Sequence, residues 1–164
     1  MTKLRKARIF WPLLVALLLT DCATKDLAES RLVPFVPEQV IGDYLRFTLA
    51  YNRGAATGIS VGEHSRIVFS LTAVLAVLVL SRLYRRADHR YPGLIVGLAL
   101  VMGGAIGNLA DRIRSTRGVV DFIDMGVGDW RFWTFNVADM GVSIGAVLLA
   151  WYLTKADRER QQLA

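Results

Sequence analysis

Residues 91–109 form a 19-residue stretch without a single charge, and this feature most limits what the chain can become. About 20 apolar residues of helix cross a bilayer core of about 30 Å. Two further runs of similar length, residues 67–84 and 132–153, carry one charge each, Arg82 and Asp139. A fourth run, residues 9–23, is shorter, is broken by Asp21, and follows the basic residues Lys3, Arg5, Lys6 and Arg8. The pattern predicts an all-α membrane protein with four transmembrane helices, at about 9–26, 67–84, 91–109 and 133–153, within a single integral membrane domain, residues 1–164. Two outer segments, about 27–66 and 111–132, remain. The first 22 residues also have the look of a cleavable signal peptide. A lipoprotein signal would place a small residue just before the cysteine; here Asp21 precedes Cys22, so the run is read as a retained helix.

Composition agrees where it bears on the question. Hydrophobic residues make up 54% of the 164-residue chain and mean hydropathy is +0.39, against about 45–50% apolar residues in a soluble domain. A single cysteine excludes a disulfide framework and a thiolate metal cluster. The net charge of +6 could suggest nucleic acid. The basic residues sit elsewhere for another reason: the N-terminal segment, the link holding Arg82, Arg85, Arg86 and Arg90, and the tail holding Lys155, Arg158 and Arg160 contain 11 of the 20 Lys and Arg. The positive-inside rule assigns these parts, and both termini, to the cytoplasm. No nucleic-acid partner is expected.

In the first outer segment Leu45, Phe47 and Leu49 alternate with Arg46, Thr48 and Ala50, a period-two strand signal. In the second, residues 119–127 begin β-branched and end among glycines. A small antiparallel sheet on the outer membrane face is the expectation.

Polar residues inside apolar runs are functional candidates. At 1.5 Å per helical residue, Asp21 lies roughly 18 Å, Asn108 roughly 25 Å and Asp139 roughly 21 Å from the inner ends of their runs. Asn136 shares a helix face with Asp139, and Arg112 shares one with Asn108. Polar groups from three spans thus reach one layer near the outer surface. Structural readings stand beside the functional ones: Asp21 and Lys25 at i, i+4 could pair, Asn108 could join helices, and Asp111–Arg112 could be an interfacial ion pair. Asp139 has no basic residue within four positions, so its partner must come from another element. Among the outer carboxylates Asp111, Asp121, Asp124 and Asp129, Asp121 stands out as a lone acid between Val120 and Phe122; Asp124 and Asp129 read as solvated. Two carboxylates that share a site cannot both ionise easily. One can then activate water while the other, protonated, donates to a carbonyl, as in aspartic proteases. This chemistry requires no metal and no cofactor. His64 and His89 lack ligand-spaced partners. Gly126-Val127-Gly128-Asp129 spells the Gly-x-Gly-Asp of presenilin-like proteases, but in an aqueous loop. Gly93, Gly97, Gly103, Gly107, Gly141 and Gly145 give small faces for close helix packing.

Several motifs, in order, carry a family resemblance: Asp21-x-x-Thr24-Lys25; Asn52-Arg53-Gly54-Ala55-Ala56; Gly103-Gly104-Ala105-x-Gly107-Asn108-x-x-Asp111-Arg112; Val119-Val120-Asp121-Phe122; and Phe135-Asn136-Val137-Ala138-Asp139. Over essentially its full length the chain resembles the lipoprotein signal peptidases, the type II signal peptidases of bacteria. The resemblance implies that Asp121 and Asp139 are the catalytic pair. It implies that Asp21, Lys25, Asn52, Gly54, Asn108, Arg112 and Asn136 support the pair and the substrate. It also implies diacylglyceryl-prolipoprotein substrates cut on the N-terminal side of the lipidated Cys, a bacterial inner-membrane location, and inhibition by globomycin. Thr57 stands where the family usually has an aromatic. A monomer in contact with membrane lipid is expected. The alternative reading is a small proton-coupled transporter or channel subunit with Asp139 as its relay.

Overall fold

A computed structural model describes residues 2–54 and 62–161. Ala55, Ala56 and Thr57 lie outside the described residues. The apolar runs become four helices, α1 (Thr2–Arg31), α2 (Ser65–Arg86), α3 (Pro92–Arg114) and α4 (Val137–Gln161). Each holds a stretch long and apolar enough to cross a membrane, and the chain is a multi-pass membrane protein. Pro92 opens α3, where its missing N–H and fixed φ do no harm. At the other end of the turn, Lys6 Nζ donates to the Tyr84, Arg85 and Ala87 carbonyls (2.8, 3.2 and 3.3 Å), satisfying the exposed carbonyls that close α2.

The bundle is organised around α3, which packs against the other three helices. Phe10 and Leu14 of α1, Leu80 of α2, and Ile95, Leu98, Ala99 and Met102 of α3 form its buried core. By contrast Ile67, Leu71, Leu75 and Leu78 of α2 are exposed, as side chains facing lipid should be. Helices α3 and α4 meet through glycine. A Cβ on Gly104 would stand 2.3 Å from the Ala138 carbonyl oxygen, and one on Gly145 would stand 2.8 Å from the Gly97 carbonyl oxygen. The small faces read from the sequence therefore permit backbone-to-backbone contact between these two helices.

Both connecting segments contribute to one antiparallel sheet of order β1-β2-β3-β4: β1 (Glu38–Ile41), β2 (Leu45–Asn52), β3 (Val119–Val127) and β4 (Trp130–Arg131). The two strands expected from the sequence are its centre, β2 and β3. Their register pairs Phe47 with Ile123 and Ala50 with Asp121, with a bulge between. The edge strands β1 and β4 were not expected. The segment before α4 also differs from its expected start near residue 133. Phe135 exchanges backbone hydrogen bonds with Ile123 (3.0 and 2.8 Å), so the chain runs extended along β3 and turns helical only at Val137.

Asp124 is corrected by the structure. It is buried, not solvated. Arg131 (2.8 Å) and Arg46 (3.2 Å) pair with it, and Thr48 donates to it at 3.0 Å. Burial alone would raise its carboxyl, but the hydrogen bonds from Arg131 and Thr48 and the charges of Arg131 and Arg46 outweigh burial and hold it below the ordinary value. Asp129, in the exposed β3–β4 turn, matches its solvated reading.

Gly104→Ala should force α4 away from α3, because the obstacle is backbone. The expected loss is about 1–3 kcal/mol of stability, read as a lowered unfolding temperature in detergent.

Candidate active site

The site is built on the first turn of α4. Asn136 is the N-cap: its Oδ1 accepts from Asp139 N (3.0 Å), and Asp139 Oδ2 accepts from Asn136 N (3.2 Å). This is a reciprocal capping box written with Asn and Asp. It fixes the Asp139 carboxylate at the positive end of the helix dipole. The next N–H, of Ala138, donates to Asp21 Oδ1 at 2.9 Å. Asp21 of α1 is thus a second carboxylate spent on the same helix end.

Asp121 reaches this turn from β3. Its Oδ1 accepts from Asn136 Nδ2 (2.7 Å) and its Oδ2 from Asn52 Nδ2 (3.1 Å). The Asn52 amide is itself oriented, because its Oδ1 accepts from Gly54 N at 2.9 Å. Gly118 permits β2 to pass this close: its φ is +105°, and a Cβ there would collide with the Asn52 carbonyl. Asp121 is 3% exposed. Burial, and then the neighbouring charge of Asp139, push its carboxyl up to about 7, against the pull of the Asn52 and Asn136 donors.

Behind the pair lies a buried ammonium. Lys25 Nζ sits 2.8 Å from Asp21 Oδ2 and 2.8 Å from Asp111 Oδ2, and donates to Asn108 Oδ1 at 3.0 Å. The Asn108 amide therefore turns its Nδ2 to Asp139 Oδ1, at 2.8 Å. Gly107 leaves room for the Asp21 carboxylate, since a Cβ would stand 2.7 Å from its Oδ2. The i, i+4 pairing of Asp21 with Lys25 is present, and it is one edge of a larger cluster. Asp111 bonds Lys25 rather than Arg112, and its carboxylate also accepts from Val120 N (3.3 Å). Its spacing of three residues from Asn108 puts both on one helix face, the signal that could have placed it here.

Arg112 completes the cluster from above. Its guanidinium donates to the Asn108 and Gly54 carbonyls (3.1 and 3.2 Å), lies over the Phe69 ring, and interacts electrostatically with both Asp121 and Asp139. Its Nε is buried with no hydrogen-bond partner among the described residues. An apolar cleft of about 500 Å³ opens beside Asp139, between Phe132–Phe135 and the α4 side chains Met140, Val142 and Ile144. Every candidate named from the sequence, Asp21, Lys25, Asn52, Gly54, Asn108, Arg112, Asp121, Asn136 and Asp139, thus belongs to one hydrogen-bonded constellation. Cys22 is exposed, and His89 pairs with Asp88, at the far end of the bundle.

Comparison with known proteins shows the family of the chain. Residues 13–155 match the family described as signal peptidase (SPase) II. The lipoprotein signal peptidase of Oleidesulfovibrio alaskensis is 41% identical over 157 residues, covering 92% of this chain and 99% of the relative. That of Ectopseudomonas mendocina is 39% identical over 158 residues, covering 94% of this chain and 93% of the relative. Among solved structures, a bacterial membrane enzyme superposes with a TM-score of 0.78 at 30% identity, over 87% of this chain and 85% of that one.

Lys25→Met should leave the Asp21 and Asp111 carboxylates buried without their cation. A loss of roughly 3–5 kcal/mol is expected, measured by thermal unfolding in detergent; adding Asp21→Asn and Asp111→Asn should recover part of it.

Proposed function

Because the chain belongs to the signal peptidase II family, and is therefore a membrane peptidase, we propose that it removes signal peptides from diacylglyceryl-modified prolipoproteins by an aspartic mechanism, cutting on the N-terminal side of the lipidated cysteine. The observation that carries this reading is that one residue, Asn136, holds both acids: its side chain bonds Asp121, and its backbone N–H and amide oxygen bond Asp139.

Roles follow from the environments. Asp139 has a hydrogen bond from Asn108 to one oxygen, a backbone N–H on the other, and a helix N-terminus behind it. Held in this way at the edge of the cleft, Asp139 is the base. Asp121, raised to about 7, holds its proton well above the ordinary carboxyl range and is the acid. Asp139 takes a proton from a water whose oxygen attacks the scissile carbonyl carbon, while Asp121 gives its proton to the carbonyl oxygen. The resulting tetrahedral diol collapses: the C–N bond breaks, the nitrogen takes the proton from Asp139, and a diol hydroxyl returns one to Asp121. Arg112, whose guanidinium interacts with both acids, supplies a positive charge for the peptide carbonyl or the developing oxyanion.

The lipidated cysteine sets where this must happen. Its acyl chains stay in the bilayer while the peptide bond reaches the acids, so the cut lies at a membrane face. We assign that face to the outside of a bacterial inner membrane, with both termini in the cytoplasm. The support is the excess of Lys and Arg on the termini and the α2–α3 link, opposite the sheet.

Asp121→Asn and Asp139→Asn should each abolish cleavage of a diacylglyceryl-prolipoprotein, followed by gel shift, with folding retained; activity surviving in either variant would exclude the mechanism. kcat/KM should fall as pH rises through about 7, as Asp121 loses its proton. Stability has the same sign. A carboxyl raised in the folded state binds more protons there than in the unfolded chain, so stability declines as pH rises from about 4 to about 7. Asp121→Asn should flatten that decline in unfolding scans.

A further inference from the structure

A polar pocket of about 210 Å³ lies between the last turns of α1 and α3, and it shares no residue with the cleft beside Asp139. Lys25 and Val120, both buried, form its floor. Most charges in it are spent on one another. Lys25 is bound to Asp111 (2.8 Å). Arg117 is bound to Glu29 (2.7 Å), and the Tyr51 hydroxyl bridges the two. Two charges of opposite sign remain. The Asp26 carboxylate has no hydrogen bond or ion pair among the described residues. Arg114, the last residue of α3, donates only to Cys22 Sγ, at 3.7 Å, and sulfur is a weak acceptor. An anion and a cation thus line one pocket without closing on each other.

The pocket stands where the apolar spans end. Arg114 closes the α3 span, and Asp26 lies in the last turns of the α1 span, Arg5–Arg31. On α1, Trp11, Val15, Leu19 and Cys22 are exposed at helical spacing, on the face that Asp26 continues. That face is apolar as far as Cys22 and acidic one turn later, and the Arg114 guanidinium crosses to it at Cys22. A change from hydrocarbon to charge within one helical turn matches the step from acyl chain to headgroup in a single lipid molecule. A guanidinium offers five N–H donors in a fork that fits phosphate; Arg114 gives one to sulfur and keeps the rest. Asp26, when ionised, only accepts, so its complement is a cation that carries N–H.

We propose that this pocket seats the headgroup of a bilayer phospholipid that carries a phosphate and a primary ammonium together, a phosphatidylethanolamine, with its acyl chains along the Trp11–Cys22 face of α1. The phosphate lies against Arg114 and the ammonium against Asp26. A headgroup with phosphate alone would set negative charge beside Asp26, and a quaternary ammonium has no N–H to give the carboxylate. The size agrees: a water takes about 30 Å³ of the liquid, so the pocket exceeds one water several-fold and admits a phosphoethanolamine group. A seated headgroup also covers the side of the Lys25–Asp111 pair that the pocket leaves open. The site rests on the membrane-spanning fold and not on the peptidase mechanism.

The test uses the full chain in neutral-detergent micelles holding equal amounts of phosphatidylethanolamine, phosphatidylcholine and phosphatidylglycerol, and reads the retained lipid by native mass spectrometry. The protein should retain phosphatidylethanolamine over the other two by about tenfold or more, the worth of a hydrogen bond to a charged group. Asp26→Ala should bring phosphatidylcholine level with phosphatidylethanolamine, because only the ammonium contact is lost. Arg114→Gln should lower retention of all three. Should Arg114→Gln disturb folding, Asp26→Lys leaves α3 untouched and should turn the preference to phosphatidylglycerol. Soluble O-phosphoethanolamine lacks acyl chains and should not displace the lipid. Equal retention of the three lipids by the unaltered protein, an unchanged preference in the Asp26 variants, or displacement by O-phosphoethanolamine overturns the proposal. So does a KM for prolipoprotein that rises in Asp26→Ala in detergent free of phospholipid, which would give the pocket to the substrate's peptide.

Discussion

An amide bonded on both sides cannot rotate, and Asn136 is such an amide. Its Nδ2 lies within hydrogen-bond distance of Asp121, Asn108 and the Val120 carbonyl, and its Oδ1 accepts from Asp139 N. The side chain is fully buried, so no water can substitute for a lost partner. Sheet, α3 and α4 are therefore tied at one point. If Asn136 turned over, Asp121 would face a carbonyl oxygen instead of a donor, and the cap on α4 would open. An unmet buried polar group costs about 1–3 kcal/mol. The geometry of both acids is thus coupled to the folding of the helix end.

That helix end has to be brought to the sheet, and backbone contact does it. Gly104 and Gly145 let α4 lie directly on α3, and Gly107 lets Asp21 enter from α1. A bilayer offers no hydrophobic drive for helices to associate, so close packing and interhelical hydrogen bonds must hold them. Here the two serve together. The glycines set the spacing at which Asp21 reaches the Ala138 N–H, and that hydrogen bond in turn holds α4 in its position. The Lys25 ammonium is shared by Asp21 and Asp111, so it offsets part of the negative charge that these supports place beside the site.

Most of this was legible in the sequence, for identifiable reasons. Long apolar runs have few other solutions, which is why the spans were readable. β2 and β3 alternate strictly enough to be seen. β1 and β4 are four and two residues long, too short for any periodicity, and exist only because a neighbouring strand offers pairing. The start of α4 was placed early because Phe132–Phe135 are as apolar as a span, while their conformation is decided by pairing with Ile123. Asp124 reads as solvated from the sequence because its burial depends on Arg46 and Arg131, one distant in sequence and one across the hairpin. The sequence leaves Asp111 free to pair with its chain neighbour Arg112, whereas its partner, Lys25, stands on another helix. In each case the deciding contact is tertiary, and local pattern carries no trace of it.

The position of the acids at the boundary of the spans answers two opposing demands. The proposed aspartic mechanism needs one carboxyl protonated near neutral pH, and burial and a second charge raise Asp121 to about 7. Burial alone, taken deeper into hydrocarbon, would remove the water that must attack and would neutralise both acids. In open solvent both would ionise. At the junction of sheet and helix N-terminus the two have different surroundings: Asp139 accepts from a backbone N–H and from Asn108 at the start of the helix, while Asp121 is enclosed by strand, amide and α4. On the proposed aspartic mechanism, the unequal surroundings of two identical side chains divide acid from base across a few ångströms.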